Sequence, residues 1–178
     1  EGIFAINTRD GVKHLRVPIT DDISVNMGKV LDEDEEITVS VEGKIWNGYN
    51  INVGNPHAVV FVEKIEDVGS LEVAPIVRPK DSYPEGVNVE FVEILKGHEA
   101  KMRVHERGSG ETKSCGTGTC AVALAATLHS KEALPSRWVI YPPGGRLVVD
   151  IDPHSNATLT GPALLISDHD ITHYLQEA

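Results

Sequence analysis

The chain has 178 residues, enough for one domain with a sizeable core, or one domain and a small extra piece. Its net charge of −11 argues against nucleic acid or an anionic membrane as partner, because both bind clustered Lys and Arg. No window approaches the ~20 consecutive apolar residues of a membrane-spanning helix, and the charged fraction of 24% is ordinary for a soluble domain.

Short strands punctuated by turn residues dominate the pattern. Gly2–Thr8 and Val12–Val17 flank Arg9-Asp10-Gly11, an Asp-Gly hairpin signal. Asp22–Met27 alternates as a strand and ends at Gly28. The acidic run Asp32–Glu36 reads as a solvated loop. Ile37–Val41 and Lys44–Trp46 bracket Glu42-Gly43 as a second hairpin. Tyr49–Val53 and Ala58–Val62 are strands on either side of Gly54-Asn55-Pro56-His57. Residues 64–86 carry Pro75, Pro79 and Pro84 and read as a loop with at most a short helix near 65–73. Val87–Leu95 and Lys101–His105 are strands, and Ser114–Ser130 is the one strong helix. Trp138–Tyr141 and Arg146–Asp152 pair around Pro142-Pro143-Gly144-Gly145. Thr158–Ser167 is a last strand broken at Gly161-Pro162, and Asp170–Glu177 closes with a short helix.

The helix settles the fold class. Cys120–Leu128 carries no charged residue on any face, and a helix apolar all round is buried all round. With many strands and one such helix, the expected architecture is α+β, an antiparallel sheet curled around a central helix. That arrangement puts the start of the helix, and Cys115 with it, at the mouth of the curled sheet.

Cys115 is the principal chemical candidate. It opens the helix, followed by Gly116, Thr117 and Gly118. A helix start offers unpaired N–H groups and a partial positive charge, which bind anions and lower a neighbouring thiol's pKa below its usual ~8.5. Gly116 and Gly118 allow close backbone approach and φ > 0 where needed. Just upstream, Arg107 is suited to hold a substrate carboxylate with its bidentate fork, and Glu106 to bind an amine or tune the thiol. His57 in its turn is placed to modulate a thiol near neutral pH. Asn55 and Asn88 read equally well as structural residues or as ligand donors. Cys120 reads as structural: on a helix it lies about 140° around the axis from Cys115. His169 and His173 have the spacing of a metal pair, but no third ligand is evident and surface histidines are expected, so no metal site is assigned. Two cysteines five apart give no disulfide framework, which favours a cytoplasmic protein with free thiols. Residues 1–16 hold no long apolar run, so no secretory leader is expected there.

These residues carry a resemblance. Glu106-Arg107-Gly108-Ser109-Gly110-Glu111-Thr112, followed by Cys115-Gly116-Thr117-Gly118, is similar to the second catalytic-cysteine motif of the diaminopimelate epimerases. Gly54-Asn55-Pro56-His57, Gly86-Val87-Asn88-Val89, Pro143-Gly144-Gly145 and Thr160-Gly161-Pro162-Ala163 resemble other landmarks of that family in the same order. The resemblance covers nearly the whole chain. It implies two similar lobes, each a sheet around a helix, with substrate in the cleft between them. It implies interconversion of LL- and meso-2,6-diaminopimelate without a cofactor such as pyridoxal phosphate, in lysine biosynthesis. One cysteine would act as base and one as acid, with Cys115 one of the pair. Asn55, Asn88, Glu106, Arg107, Gly116 and Thr117 would bind substrate, and His57 and Glu106 would modulate the thiol. Family members often form homodimers, so the resemblance allows one here.

The family's partner motif, Cys-Gly-Asn-Gly, does not occur in this sequence, and the chain opens on Glu1 in a strand-like run. The expectation is a C-terminal piece of a longer enzyme, inactive alone. Residues 1–20 would be the end of the N-terminal lobe or a connecting hairpin, 21–167 the C-terminal lobe, and 168–178 a terminal segment. Two other readings compete. One is a proline racemase-like isomerase, which shares Cys-Gly-Thr-Gly but not the Glu-Arg-Gly lead-in. The other is a non-catalytic module that keeps an anion pocket at the helix start.

Overall fold

The structure, a computed structural model, describes residues 1–8 and 11–167. Its strands are β1 (Gly2–Thr8), β2 (Gly11–Val17), β3 (Ile23–Lys29), β4 (Leu31–Asp32), β5 (Ile37–Val41), β6 (Lys44–Asn52), β7 (Pro56–Phe61) and β8 (Ile76–Arg78). They continue with β9 (Asn88–Ile94), β10 (Glu99–Glu106) and β11 (Gly110–Thr112). Helix α1 (Gly116–His129) follows, then β12 (Ser136–Tyr141), β13 (Leu147–Ile151) and β14 (Asn156–Gly161).

Among the described residues these strands form one sheet, in the order β1-β2-β3-β14-β13-β12-β10-β9-β7-β6-β5-β8, with β11 on β10 and β4 on β6. All neighbours are antiparallel except β7–β9 and β10–β12, which are parallel. Helix α1 packs against β6, β7 and β9 from one half of that path and against β12, β13 and β14 from the other. A sheet can touch one helix with both halves only by curling around it, as the sequence pattern implied. None of the described helices is long and apolar enough to cross a membrane.

The helix is apolar because it is enclosed. Thr119 through Thr127 are all buried, and the small side chains of Ala121, Ala123, Ala125 and Ala126 let the strands close in. Its two buried threonines satisfy themselves by back-bonding: Thr119 Oγ1 donates to Cys115 O and Thr127 Oγ1 to Ala123 O, both at 2.8 Å. The indole Nε1–H of Trp138 donates to Thr127 Oγ1 at 2.9 Å, which ties β12 to the helix. The far end closes in a Schellman turn. Lys131 N–H donates to Leu128 O and Glu132 N–H to Thr127 O, with Lys131 at φ 58°.

Two cores result. One surrounds α1 and contains Val59, Val92, Met102, Val104 and Trp138. The other lies on the outer face of β5, β7 and β9 and contains Val39, Val60, Leu71, Val89 and Phe91. Strands β7 and β9 are therefore covered on both faces.

Several boundaries differ from the sequence pattern. The segments 44–46 and 49–53 are one strand, β6, because Gly48 pairs with both Ile37 and Val60 instead of breaking the ladder. Ile76–Arg78, read as loop, pairs with β5, a partner nearly forty residues away that local pattern cannot show. The last strand stops at Gly161 and does not continue to Ser167. The acidic loop is solvated, as expected, yet Glu35 Oε2 accepts from Asn50 Nδ2 at 3.0 Å and Glu33 Oε1 from Asn52 Nδ2 at 2.8 Å. The expected C-terminal helix, His169 and His173, and the tip residues Arg9 and Asp10 of the first hairpin lie outside the described residues.

Candidate active site

Topology gathers the site at one end of the sheet. Strands β7 and β9 run parallel with His57 opposite Asn88, so their first residues lie side by side. Strand β10 runs antiparallel to β9 with His105 opposite Val89, so its last residues reach the same edge. The start of α1 lies over that edge. The two-residue period of a strand then sorts side chains by face. His57 shares the helix-facing side of β7 with Val59. Asn88 and Glu90 share that side of β9 with Val92, and Glu106 shares that side of β10 with Met102 and Val104.

Cys115 is the N-cap of α1, in extended conformation at φ −132° and ψ 115°. Its sulfur accepts the Gly118 N–H at 3.4 Å and lies 3.5 Å from the Thr117 hydroxyl. Cys115 is 7% exposed and belongs to the core around α1, while Gly116, Thr117, Asn55 and Glu106 around it are half-buried. Neither Gly116 nor Gly118 has a positive φ. What Gly118 supplies is room: a Cβ there would stand 2.5 Å from Glu90 Oε1.

One sequence expectation reverses. Burial pushes the Cys115 thiol up to about 11; the bonds from Thr117 and Gly118 pull it down, and the charges of Glu90 and Glu106 add to the rise. The helix start does not acidify this sulfur, because lost hydration and two nearby carboxylates outweigh two hydrogen bonds. Cys120 is fully buried in the core around α1, and burial pushes its thiol up to about 12.

The remaining residues fall into two groups. Asn55, His57 and Thr117 connect to the sulfur. His57 Nε2 is 3.1 Å from Asn55 Oδ1, and Asn55 Nδ2 donates to Thr117 Oγ1 at 3.4 Å. His57 therefore reaches Cys115 only through Asn55 and Thr117. Glu106 accepts a short hydrogen bond from Thr112 Oγ1, which fixes it beside the thiol.

Asn88 and Arg107 form the second group. Asn88 Oδ1 accepts the Arg107 backbone N–H at 2.9 Å. The Arg107 side chain runs the other way. Its Nη1 donates to Glu85 O at 3.1 Å and to Gly86 O at 3.5 Å, and Gly86, at φ 84°, leaves space for its methylenes. There it lines a cavity of about 470 Å³ with Tyr83, Val89 and His105, on the side of β9 and β10 away from the helix. Glu111 of the same motif binds Arg103 in a two-pronged pair at 2.6 and 2.9 Å, so it fastens β11 to β10.

Glu90 escaped the sequence reading. It is fully buried, and its Oε1 is 2.7 Å from His57 Nδ1. The available signal was an acid inside the apolar run Val87–Val92, which reads as an outward-facing residue unless the strand is known to be covered on both faces.

The family model for diaminopimelate epimerase matches residues 49–166. A diaminopimelate epimerase of Streptomyces coelicolor is 42% identical over 173 residues, covering 94% of this chain and 60% of the relative. One from Geobacillus sp. is 35% identical over 177 residues, covering 90% of this chain and 62% of the relative. The chain thus spans about 60% of the length of the curated relatives it matches. Among solved structures, a hydroxyproline epimerase from Agrobacterium vitis superposes with a TM-score of 0.66 at 14% identity, over 93% of this chain and 58% of that one. A predicted epimerase from Pseudomonas aeruginosa gives 0.62 at 14% identity, over 94% of this chain and 67% of that one. At such identities these structures establish a shared fold.

Proposed function

The chain belongs to the diaminopimelate epimerase family, and we propose that its full-length form inverts an α-carbon of 2,6-diaminopimelate with Cys115 as one of two acid/base thiols. The observation that carries this reading is the sulfur's position, capped onto the first turn of α1 beside Thr117, Gly118 and Glu106 and ringed by half-buried residues.

An α-proton next to a carboxylate is a very weak acid. Its removal needs a fixed base and donors aimed at the charge that builds on the carboxylate. In the proposed reaction a thiolate from the rest of the full-length protein takes the proton. The C–H electron pair delocalises onto the carboxylate, and the unpaired N–H groups at Gly116 and Thr117 receive that charge. The Cys115 S–H then delivers a proton to the opposite face and is left as thiolate. A thiol pushed up to about 11 is protonated at neutral pH, which suits it to that half of the exchange. No cofactor takes part. Glu106 binds the substrate amine, Asn55 and Asn88 offer amide donors, and Arg107 binds the distal carboxylate after its guanidinium swings from the 85–86 loop. His57 and Glu106 tune the thiol.

In this reading 21–167 is the C-terminal lobe. Residues 1–20 end the preceding lobe or connect to it, since Ile3, Phe4, Ile6 and Val12 of the β1–β2 hairpin are exposed apolar side chains in want of cover. Cys120 is buried away from the mouth, so this chain alone lacks the second thiol and does not invert substrate.

The test is turnover by the full-length protein with LL-diaminopimelate and, separately, with proline. Inversion of diaminopimelate supports the proposal. Inversion of proline but not diaminopimelate assigns the chain to a proline racemase-like activity, and inversion of neither leaves a binding module.

A further inference from the structure

Glu90 has entered so far only as one of two carboxylates that raise the Cys115 thiol, yet it occupies a costly position. It is fully buried and faces α1, and its Oε2 has no hydrogen-bond partner. A buried polar oxygen without a partner has given up its hydration for nothing and is destabilising. Packing alone does not call for it, because the neighbouring strand positions Val89, Phe91 and Val92 fill their sites with hydrocarbon.

The geometry around Glu90 is directional. Asn55 Oδ1 can only accept, so His57 Nε2, 3.1 Å away, carries a hydrogen. One further proton is shared between His57 Nδ1 and Glu90 Oε1, 2.7 Å apart. Whichever of the two holds that proton, the ring keeps its Nε2–H toward Asn55. Asn55 is then fixed with Nδ2 toward Thr117 Oγ1, and the Thr117 hydroxyl is left to donate to Cys115 Sγ at 3.5 Å. Every donor from His57 onward points toward the sulfur. Aligned hydrogen bonds polarise one another, so the series favours a charge appearing at its end.

We propose that Glu90 is a positioning residue for the Cys115 chemistry, locking the His57 tautomer so that Asn55 and Thr117 present a hydrogen bond to the sulfur when it becomes a thiolate. This rests on the acid/base role given to Cys115 above. Glu90 touches neither the sulfur nor a substrate by any hydrogen bond; its positioning effect runs through His57, separate from the direct charge by which it raises the thiol. Gly118 belongs to the same device, since its missing side chain is the space that Glu90 Oε1 occupies.

The test uses the full-length protein with Glu90→Leu and Glu90→Gln. Leucine fills the space but frees His57 Nδ1. Its kcat should fall about 10- to 100-fold, the range for a misplaced reacting group, with KM changed less than about three-fold. Removing the orphaned oxygen is outweighed by breaking the 2.7 Å contact, which leaves buried His57 Nδ1 unpartnered, so Glu90→Leu should melt lower than the wild type; kcat is read well below that melting point, where a merely structural role would leave it unchanged. Glutamine can donate its amide hydrogen to Nδ1 and hold the same tautomer, so it should restore most of kcat. The ¹⁵N spectrum of the His57 ring gives a reading independent of activity, and the wild type needs no variant to fold. It should show a protonated Nε2, lost in part in Glu90→Leu. Wild-type kcat in Glu90→Leu, or an unprotonated Nε2 in the wild type, would overturn the proposal. Absence of diaminopimelate turnover by the wild type would instead remove the epimerase reading, while the ring spectrum would still decide the tautomer lock.

Discussion

Alanine at position 118 sets two effects of opposite sign against each other. Residue 118 is the third residue of α1, and exchanging Gly for Ala inside a helix ordinarily stabilises by about 1 kcal/mol. Here the new methyl would stand 2.5 Å from Glu90 Oε1, 3.2 Å from Glu90 Cδ and 3.3 Å from Cys115 Cβ. Glu90 is fully enclosed and can retreat only by giving up its 2.7 Å contact with His57. Forcing a group into a packed interior costs about 1–3 kcal/mol. Losing a hydrogen bond to a charged group costs about 1.5–3 kcal/mol more. The clash outweighs the helix preference, and Gly118→Ala should lose about 2 kcal/mol or more in urea unfolding, read as a lower midpoint at unchanged slope. Gly116→Ala is the matched control, two residues away. Its methyl would meet only Leu159 Cδ2 at 3.4 Å and Met27 Cε at 3.8 Å, both ends of flexible side chains. It should therefore gain up to about 1 kcal/mol. A Gly118→Ala protein as stable as Gly116→Ala would refute the placement of Glu90 against the helix.

Two further outcomes follow from the site. Alkylation of Cys115 by iodoacetamide should keep rising with pH toward a midpoint near 11, because burial and the neighbouring carboxylates hold the sulfur as thiol; a plateau below pH 9 by peptide mass analysis would contradict this. Arg107→Ala in the full-length protein should lower kcat/KM by about 10- to 100-fold, the worth of a charged hydrogen bond, with little change in melting temperature since the side chain is exposed. Normal kinetics with a large loss of stability would make Arg107 a structural residue.

How much of this was legible in the sequence depends on how local each feature is. Helix α1 and its Cys115 start could be read directly, since an uncharged run of small residues leaves no surface face. The hairpins at Glu42-Gly43 and around Pro142–Gly145 were equally plain, because both partners sit beside their turn. The parallel joins β7–β9 and β10–β12 were not, since they depend on which distant segments meet. Glu90 was obscured for a related reason: it lies in a strand covered on both faces, where alternation no longer separates inside from outside. Arg107 was read as a site residue, but the direction of its side chain, held by the 85–86 loop, depends on a contact about twenty residues away. The thiol's direction failed on magnitude. The cap and the helix start act as expected, but burial is larger, and burial cannot be read from a motif.

The most direct test of the account is Cys115→Ser in the full-length protein, followed by inversion of LL-diaminopimelate in deuterated water. Serine is a better N-cap than cysteine and can take the same Gly118 N–H, so the fold should be as stable as before or more so. Its hydroxyl cannot replace the thiol as acid, and inversion should fall by about 10²- to 10⁴-fold. A Cys115→Ser protein that inverts its substrate at the wild-type rate would contradict the role given to this sulfur.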